Sequence, residues 1–292
     1  MRLTRVDAAW RAYLFSVPLV FALASGVSAQ TPSTEPLTCP VAGANATPLS
    51  FDTVASALAS LARPKGEYET SANFHARQRS AATTLKPNYL VSVPILLSNT
   101  RYDADRQVLS IPASALRGPL APDYGRAVSN GFIGDKIGAG IFNIDVIAAR
   151  SEIPIGGYAA QNALGATTRV TKFRKVTKAI FDRAGGWQET LFDPPSKGDG
   201  WQQQYEALEV PMTPTFAKVQ KRTLRAAVLI EPRAPWLLTG QELHRSPTFD
   251  KPNDFDATLT VMTARISCVV VLDKAGKVLA GRAVRQPESK ER

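Results

Sequence analysis

The chain has 292 residues, 44 % of them hydrophobic, with 35 Lys and Arg against 25 Asp and Glu, for a net charge of +10. That length leaves room for one large domain or two small ones, each with a real core. Only two cysteines and two histidines occur, and their spacing excludes a structural zinc site.

The N-terminus reads as a secretory signal. Arg2, Arg5 and Arg11 form a basic start, Ala12 to Ala24 is uncharged and apolar, and Val27 and Ala29 suit cleavage before Gln30. The alternative is an uncleaved membrane anchor, but the apolar stretch is shorter than the roughly 20 residues a spanning helix needs. Residues 1–29 are therefore expected to be removed, with no transmembrane segment left afterwards and a periplasmic or secreted location. Nucleic acid is not an expected partner there. In an oxidising compartment two cysteines suggest a Cys39–Cys268 disulfide, the alternative being a buried Cys268 and a free Cys39.

Residues 30–50, rich in Pro, Thr and Ala, are expected to be a flexible lead-in. Asp52 or Thr53 can cap a helix from Val54 to Ala62, with Val54, Leu58 and Leu61 on one face. Thr70 or Ser71 can cap a second helix reaching about Thr83. Phe74 is expected to point inward there, and Tyr68 and Phe74 to anchor the helix to a sheet.

The stretch Lys65-Gly-Glu-Tyr-Glu-Thr70, followed by an aromatic residue and Arg77, resembles a motif of uncharacterised exported proteins of Gram-negative bacteria. Those proteins carry Phe or Tyr after the first Glu and a helix ending in Arg. The Tyr102-Asp-Ala-Asp105 hairpin, the Asn162-Ala-Leu-Gly165 strand motif, a helix-into-strand unit and a closing hairpin are similar as well. Leu164 departs from the more usual aromatic. The family has no assigned activity, so the resemblance implies none.

Further along, strands are expected at 89–97 and on both sides of a turn at Asp103-Ala-Asp105, which lacks the remaining ligands of a calcium loop. Residues 112–140 and 185–199 read as Gly- and Pro-rich loops, the second carrying or flanked by Trp187, Phe192 and Trp201. Their alternatives are end plugs of a core or a glycan-stacking surface. A strand is expected at 141–147, and another through 166–173 after a Gly-rich opening at 156–165. Thr213 followed by Pro214 marks a third helix. A strand at 223–230 is expected to end at Pro232 and Pro235. Strands at 257–264 and 266–272 lead through an Asp273–Gly276 turn into a last strand, and residues 285–292 are expected to fray.

The fold class expected is α+β, mainly antiparallel β with two or three short helices. It would form a single domain over 51–284, or two subdomains dividing near 185–210. No nucleophile motif, metal-ligand cluster or cofactor signature occurs, so neither a cofactor nor a metal is expected. His244 lies in a polar, Pro-flanked loop. Two local acid pairs, Glu67 with Glu69 and Asp254 with Asp256, are the available carboxylates for a hydrolase. The densest basic run is Arg169, Lys172, Arg174, Lys175 and Lys178, either a solvated face or an anion-binding one. The function expected is that of a non-catalytic envelope protein that binds or scaffolds anionic components (lipid headgroups, lipopolysaccharide, glycan) or another envelope protein. A cell-envelope hydrolase is the alternative.

Overall fold

The computed structural model describes residues 38–83, 85–112, 115–116, 146–182, 206–245 and 247–284. The expected signal and the tail 285–292 lie outside these residues, as do Trp187, Phe192 and Trp201.

Ser50, not Asp52 or Thr53, caps the first helix, α1 (Phe51–Ala62): its hydroxyl accepts the Thr53 N–H at 3.1 Å. Phe51, Val54, Leu58 and Leu61 recur at helical spacing and are buried. The second helix, α2 (Ser71–Thr83), starts at Thr70, whose hydroxyl accepts the Asn73 N–H. It buries no residue completely.

Strands β1 (Tyr89–Val93), β2 (Arg101–Asp103), β3 (Val108–Pro112), β4 (Val146–Gln161), β5 (Thr167–Asp182) and β6 (Glu206–Pro211) follow. Then come helix α3 (Pro214–Gln220), capped by Thr213, and strands β7 (Arg225–His244), β8 (Asn253–Leu272) and β9 (Val278–Ala283). The fold is α+β and β-rich, as the sequence pattern predicts.

The larger sheet runs β1-β7-β8-β5-β4, and β2-β3-β6 form a smaller one. Strand β8 is the spine. Its first part pairs parallel with β5, from Thr171 opposite Asn253 to Asp182 opposite Ala264. Its last part pairs antiparallel with β9, and β7 runs along its other edge.

Alternation along β8 splits the core in two. Met262, Ala264, Ile266, Val269 and Val271 face α1, β1 and the smaller sheet. Phe255, Ala257, Leu259 and Val261, and then Cys268, Val270 and Leu272, belong to clusters on the opposite face. Each fully buried side chain of Leu or Ile size contributes about 1.5–3 kcal/mol.

Cys39 and Cys268 are disulfide-bonded, with Cα atoms 5.4 Å apart. Residues 38–49, expected within a flexible lead-in, are bonded to the sheet. The Gly43 and Ala46 N–H groups donate to the carbonyls of Val278 and Gly276, and Val278 N–H donates back to Ala44. Cys39 and Ala46 pack on the cluster of Leu229, Val270, Leu272 and Val278.

Three strand expectations are corrected. Strand β4 continues without a break from Val146 through Pro154, Gly156 and Gly157. The register shifts once there, at Ile155 between Pro154 and Gly156, and β4 is the sheet edge, where a proline's missing N–H need not cost a ladder bond. Strand β7 does not end at Pro232 and Pro235. Arg233–Trp236 loop out between Pro232 and Leu237, and Thr263 closes the gap. Its hydroxyl accepts the Trp236 N–H and donates to the Arg233 carbonyl. The segments at 257–264 and 266–272 are one strand, with a register shift opposite Leu229 and Ile230.

Candidate functional site

The Gly66–Thr70 loop is built for structure. Glu69 accepts two bonds from Arg77 and one from the Gly66 N–H. Arg77 in turn donates to the carbonyls of Ser60, Arg63 and Pro64, satisfying the C-terminal end of α1. These bonds hold the Glu69 carboxyl well below the ordinary 4.5, at about 2, chiefly through Arg77. Tyr68 and Phe74 do not anchor α2 to a sheet. Tyr68 is 93 % exposed, and Phe74 is half-buried under the Arg77 guanidinium, 5.2 Å from its ring centre. Arg77, not an aromatic, ties this loop to α1.

The basic run lies on β5, where period-two alternation divides it between two faces. Arg169 and Lys175 fall on one face, Lys172, Arg174 and Lys178 on the other. Lys175 is used twice: its Nζ lies 3.8 Å from Glu152 and 4.4 Å from the Phe255 ring centre. Lys178 is paired at 2.7 Å with Asp52 of α1. Arg169, Lys172 and Arg174 make no ion pair among the described residues, although β5 register sets Lys172 opposite Asp254 and Arg174 opposite Asp256. Asp256 is taken by Arg245, which also donates to the Phe255 carbonyl.

Asp254 is 2 % exposed. Its Oδ2 accepts the Tyr158 hydroxyl at 2.9 Å, and its Oδ1 is buried with no hydrogen-bond partner. The same bond, with partial burial, pushes the Tyr158 phenol above its usual value. Nothing in the sequence pairs these residues. They become neighbours because β5 joins β8 in parallel and β4 folds back on β5.

Next to Tyr158, toward the turn at Asn162–Gly165, lies an open depression of about 470 Å³. It is lined by Gly157, Tyr158, Ala159, Thr167, Thr168 and Arg169. Gly157 is required there, because a Cβ would come within 2.6 Å of the Val170 carbonyl oxygen. Ile153 stands opposite Arg174, and Leu243 opposite Asp256, so both lie on the Lys172 and Arg174 face. Ile153 and Leu243 are exposed.

His244 is stacked on Phe255, with ring centres 4.8 Å apart. Among the described residues no three His, Cys, Asp or Glu side chains group as metal ligands, and no helix is long and apolar enough to cross a membrane. No known protein family, no curated protein and no solved structure matches this chain.

Proposed function

We propose that the chain is an exported, non-catalytic envelope protein that binds an anionic envelope component through the β4–β5 ribbon. One observation carries this reading. Lys175 and Lys178 are committed to acids, whereas Lys172 and Arg174 make no ion pair among the described residues and share their face with exposed Ile153 and Leu243. Cations beside apolar side chains match an anionic headgroup layer, in which the charge meets phosphate and the apolar groups meet the acyl boundary. The signal-like N-terminus and the disulfide support export. The hydrolase alternative gains no comparable support: Glu69 is taken by Arg77, Asp254 by Tyr158 and Asp256 by Arg245.

The test is cosedimentation with vesicles of phosphatidylglycerol and phosphatidylethanolamine. Binding is expected at low salt and should fall steeply as the screening length shortens to about 8 Å at physiological ionic strength. The Lys172→Gln/Arg174→Gln variant should lose it. The charge-matched Lys218→Gln/Lys274→Gln variant, changed at exposed sites elsewhere, should keep it. Absent or salt-independent binding would overturn the reading.

A further inference from the structure

Strand β4 forms one end of the larger sheet, and among the described residues no strand pairs with its outer edge. Residues 150–159 are all exposed. An open edge offers a row of backbone N–H and C=O groups to another strand. Much of this edge is guarded. At one end the register shifts at Ala148, and the Ile147 N–H is taken by the Leu116 carbonyl. At the other, Pro154 has no N–H to give and the register shifts again at Ile155. Between these points residues 149–153 pair with β5 without interruption. Ser151 is the middle of that regular stretch.

The charges around Ser151 complement their own copy. Arg150 and Glu152 flank it and share the face of Lys175, because Glu152 lies opposite Lys175 in the β4–β5 register. Consider a second β4 laid antiparallel against the first, with a two-fold axis at Ser151. Arg150 of each copy then stands directly opposite Glu152 of the other. Opposite charges directly across a strand pair stabilise it, and like charges destabilise it. Moving the axis to Arg150 would oppose two arginines, and moving it to Glu152 would oppose two glutamates. The centre that the backbone leaves open and the centre that the charges select are thus the same residue. Glu152 lies 3.8 Å from Lys175 yet its side chain is 51 % exposed, so its carboxylate is open to a further cation. On the other face Ile153 of one copy, exposed here, meets Ala149 of the other. A pattern that is its own inverse fits a second copy of this chain better than an unrelated strand.

We infer that this chain forms a two-fold dimer through the outer edge of β4, with Ser151 on the axis and residues 149–153 of both copies joining the two sheets into one. The axis stands normal to the sheet, so both copies turn Lys172 and Arg174 the same way. The inference does not depend on the envelope-binding reading.

The experiment is analytical ultracentrifugation of the full chain from micromolar to submillimolar concentration. A monomer–dimer equilibrium is expected. Glu152→Arg and Arg150→Glu should each weaken dimerisation by about tenfold or more, because both cross-strand pairs become like-charged. An equimolar mixture of the two variants should dimerise again, since each supplies the charges the other lacks. That recovery also shows both variants to be folded. Ser151→Cys should give a disulfide-linked dimer on oxidation with copper phenanthroline. Directly paired Cα atoms lie about 4.5–5.5 Å apart, within the roughly 4.4–6.8 Å that a disulfide spans. Ile153→Cys should not crosslink, because it faces Ala149 of the other copy. A monomer at every concentration overturns the inference and leaves the edge to a strand of another protein. A dimer that ignores both charge reversals, or that Ser151→Cys fails to link, forms through another surface and overturns it too. Dimerisation without vesicle binding removes the headgroup reading alone. Vesicle binding by a strict monomer removes this inference alone.

Discussion

Arg77 donates to both carboxylate oxygens of Glu69, each at 3.0 Å, and the same guanidinium closes the end of α1 through the carbonyl of Ser60. Two helices and the loop between them therefore depend on one fork of donors. The folded Glu69 carboxyl lies at about 2 against an ordinary 4.5, so its contribution is fully present above about pH 4.5 and is lost as pH falls toward 2. Thermal melts across that window should show wild type and Glu69→Gln converging as the pH drops. Arg77→Lys should behave like a loss of function at this junction, because an ammonium cannot serve both oxygens and the helix carbonyls at once. A constant difference between wild type and Glu69→Gln at all pH values would refute this account.

The Cys39–Cys268 bond joins residues 229 positions apart and secures segment 38–49 over the β8–β9 face. Loss of a native disulfide costs about 2–5 kcal/mol. Cys39→Ser/Cys268→Ser should therefore unfold at lower denaturant concentration. Alkylation of unreduced, denatured protein followed by intact mass should find no free thiol, and two after reduction. Two modified thiols before reduction would contradict the pairing.

Gly276 makes the turn before β9 at φ +89°, and a Cβ there would lie 2.8 Å from the Ala46 carbonyl oxygen. Gly276→Ala is expected to destabilise by more than about 1 kcal/mol. The damage should reach the strap as well, since the Ala46 N–H bonds to the Gly276 carbonyl. Hydrogen exchange at Gly43 and Ala46 should accelerate in the variant. Unchanged exchange would show that the strap is held by the disulfide alone.

Tyr158 is bonded to a buried carboxylate, and its phenol is pushed above the ordinary 10, first by that bond and then by burial. The stabilisation it gives is present below about pH 10 and lost as pH rises through the raised value. Tyr158→Phe should lower the melting temperature near neutrality by leaving Asp254 without its donor. That deficit should shrink under alkaline conditions. Equal melting temperatures near neutrality would refute the dependence of Asp254 on this bond.

Local signals carried much of the fold. The apolar spacing of Val54, Leu58 and Leu61, the Thr70 and Thr213 caps, Pro214 at a helix start and the Asp273–Gly276 turn each act within a few residues. A single chain can be read for such features because their partners are adjacent. Pairings across long separations were not legible in that way. Pro232 and Pro235 read locally as the end of a strand, and only the Thr263 hydroxyl, which bridges the looped-out residues, makes them compatible with a long one. The candidate site divides likewise. Sequence alone marked Arg169, Lys172, Arg174, Lys175 and Lys178 as a basic run. Tertiary structure decided that Asp52 and Glu152 engage two of them, that the rest lie on different faces, and that Asp254 meets Tyr158 from 96 positions away. Charge is a property of composition, whereas pairing and burial exist only once distant strands are in register.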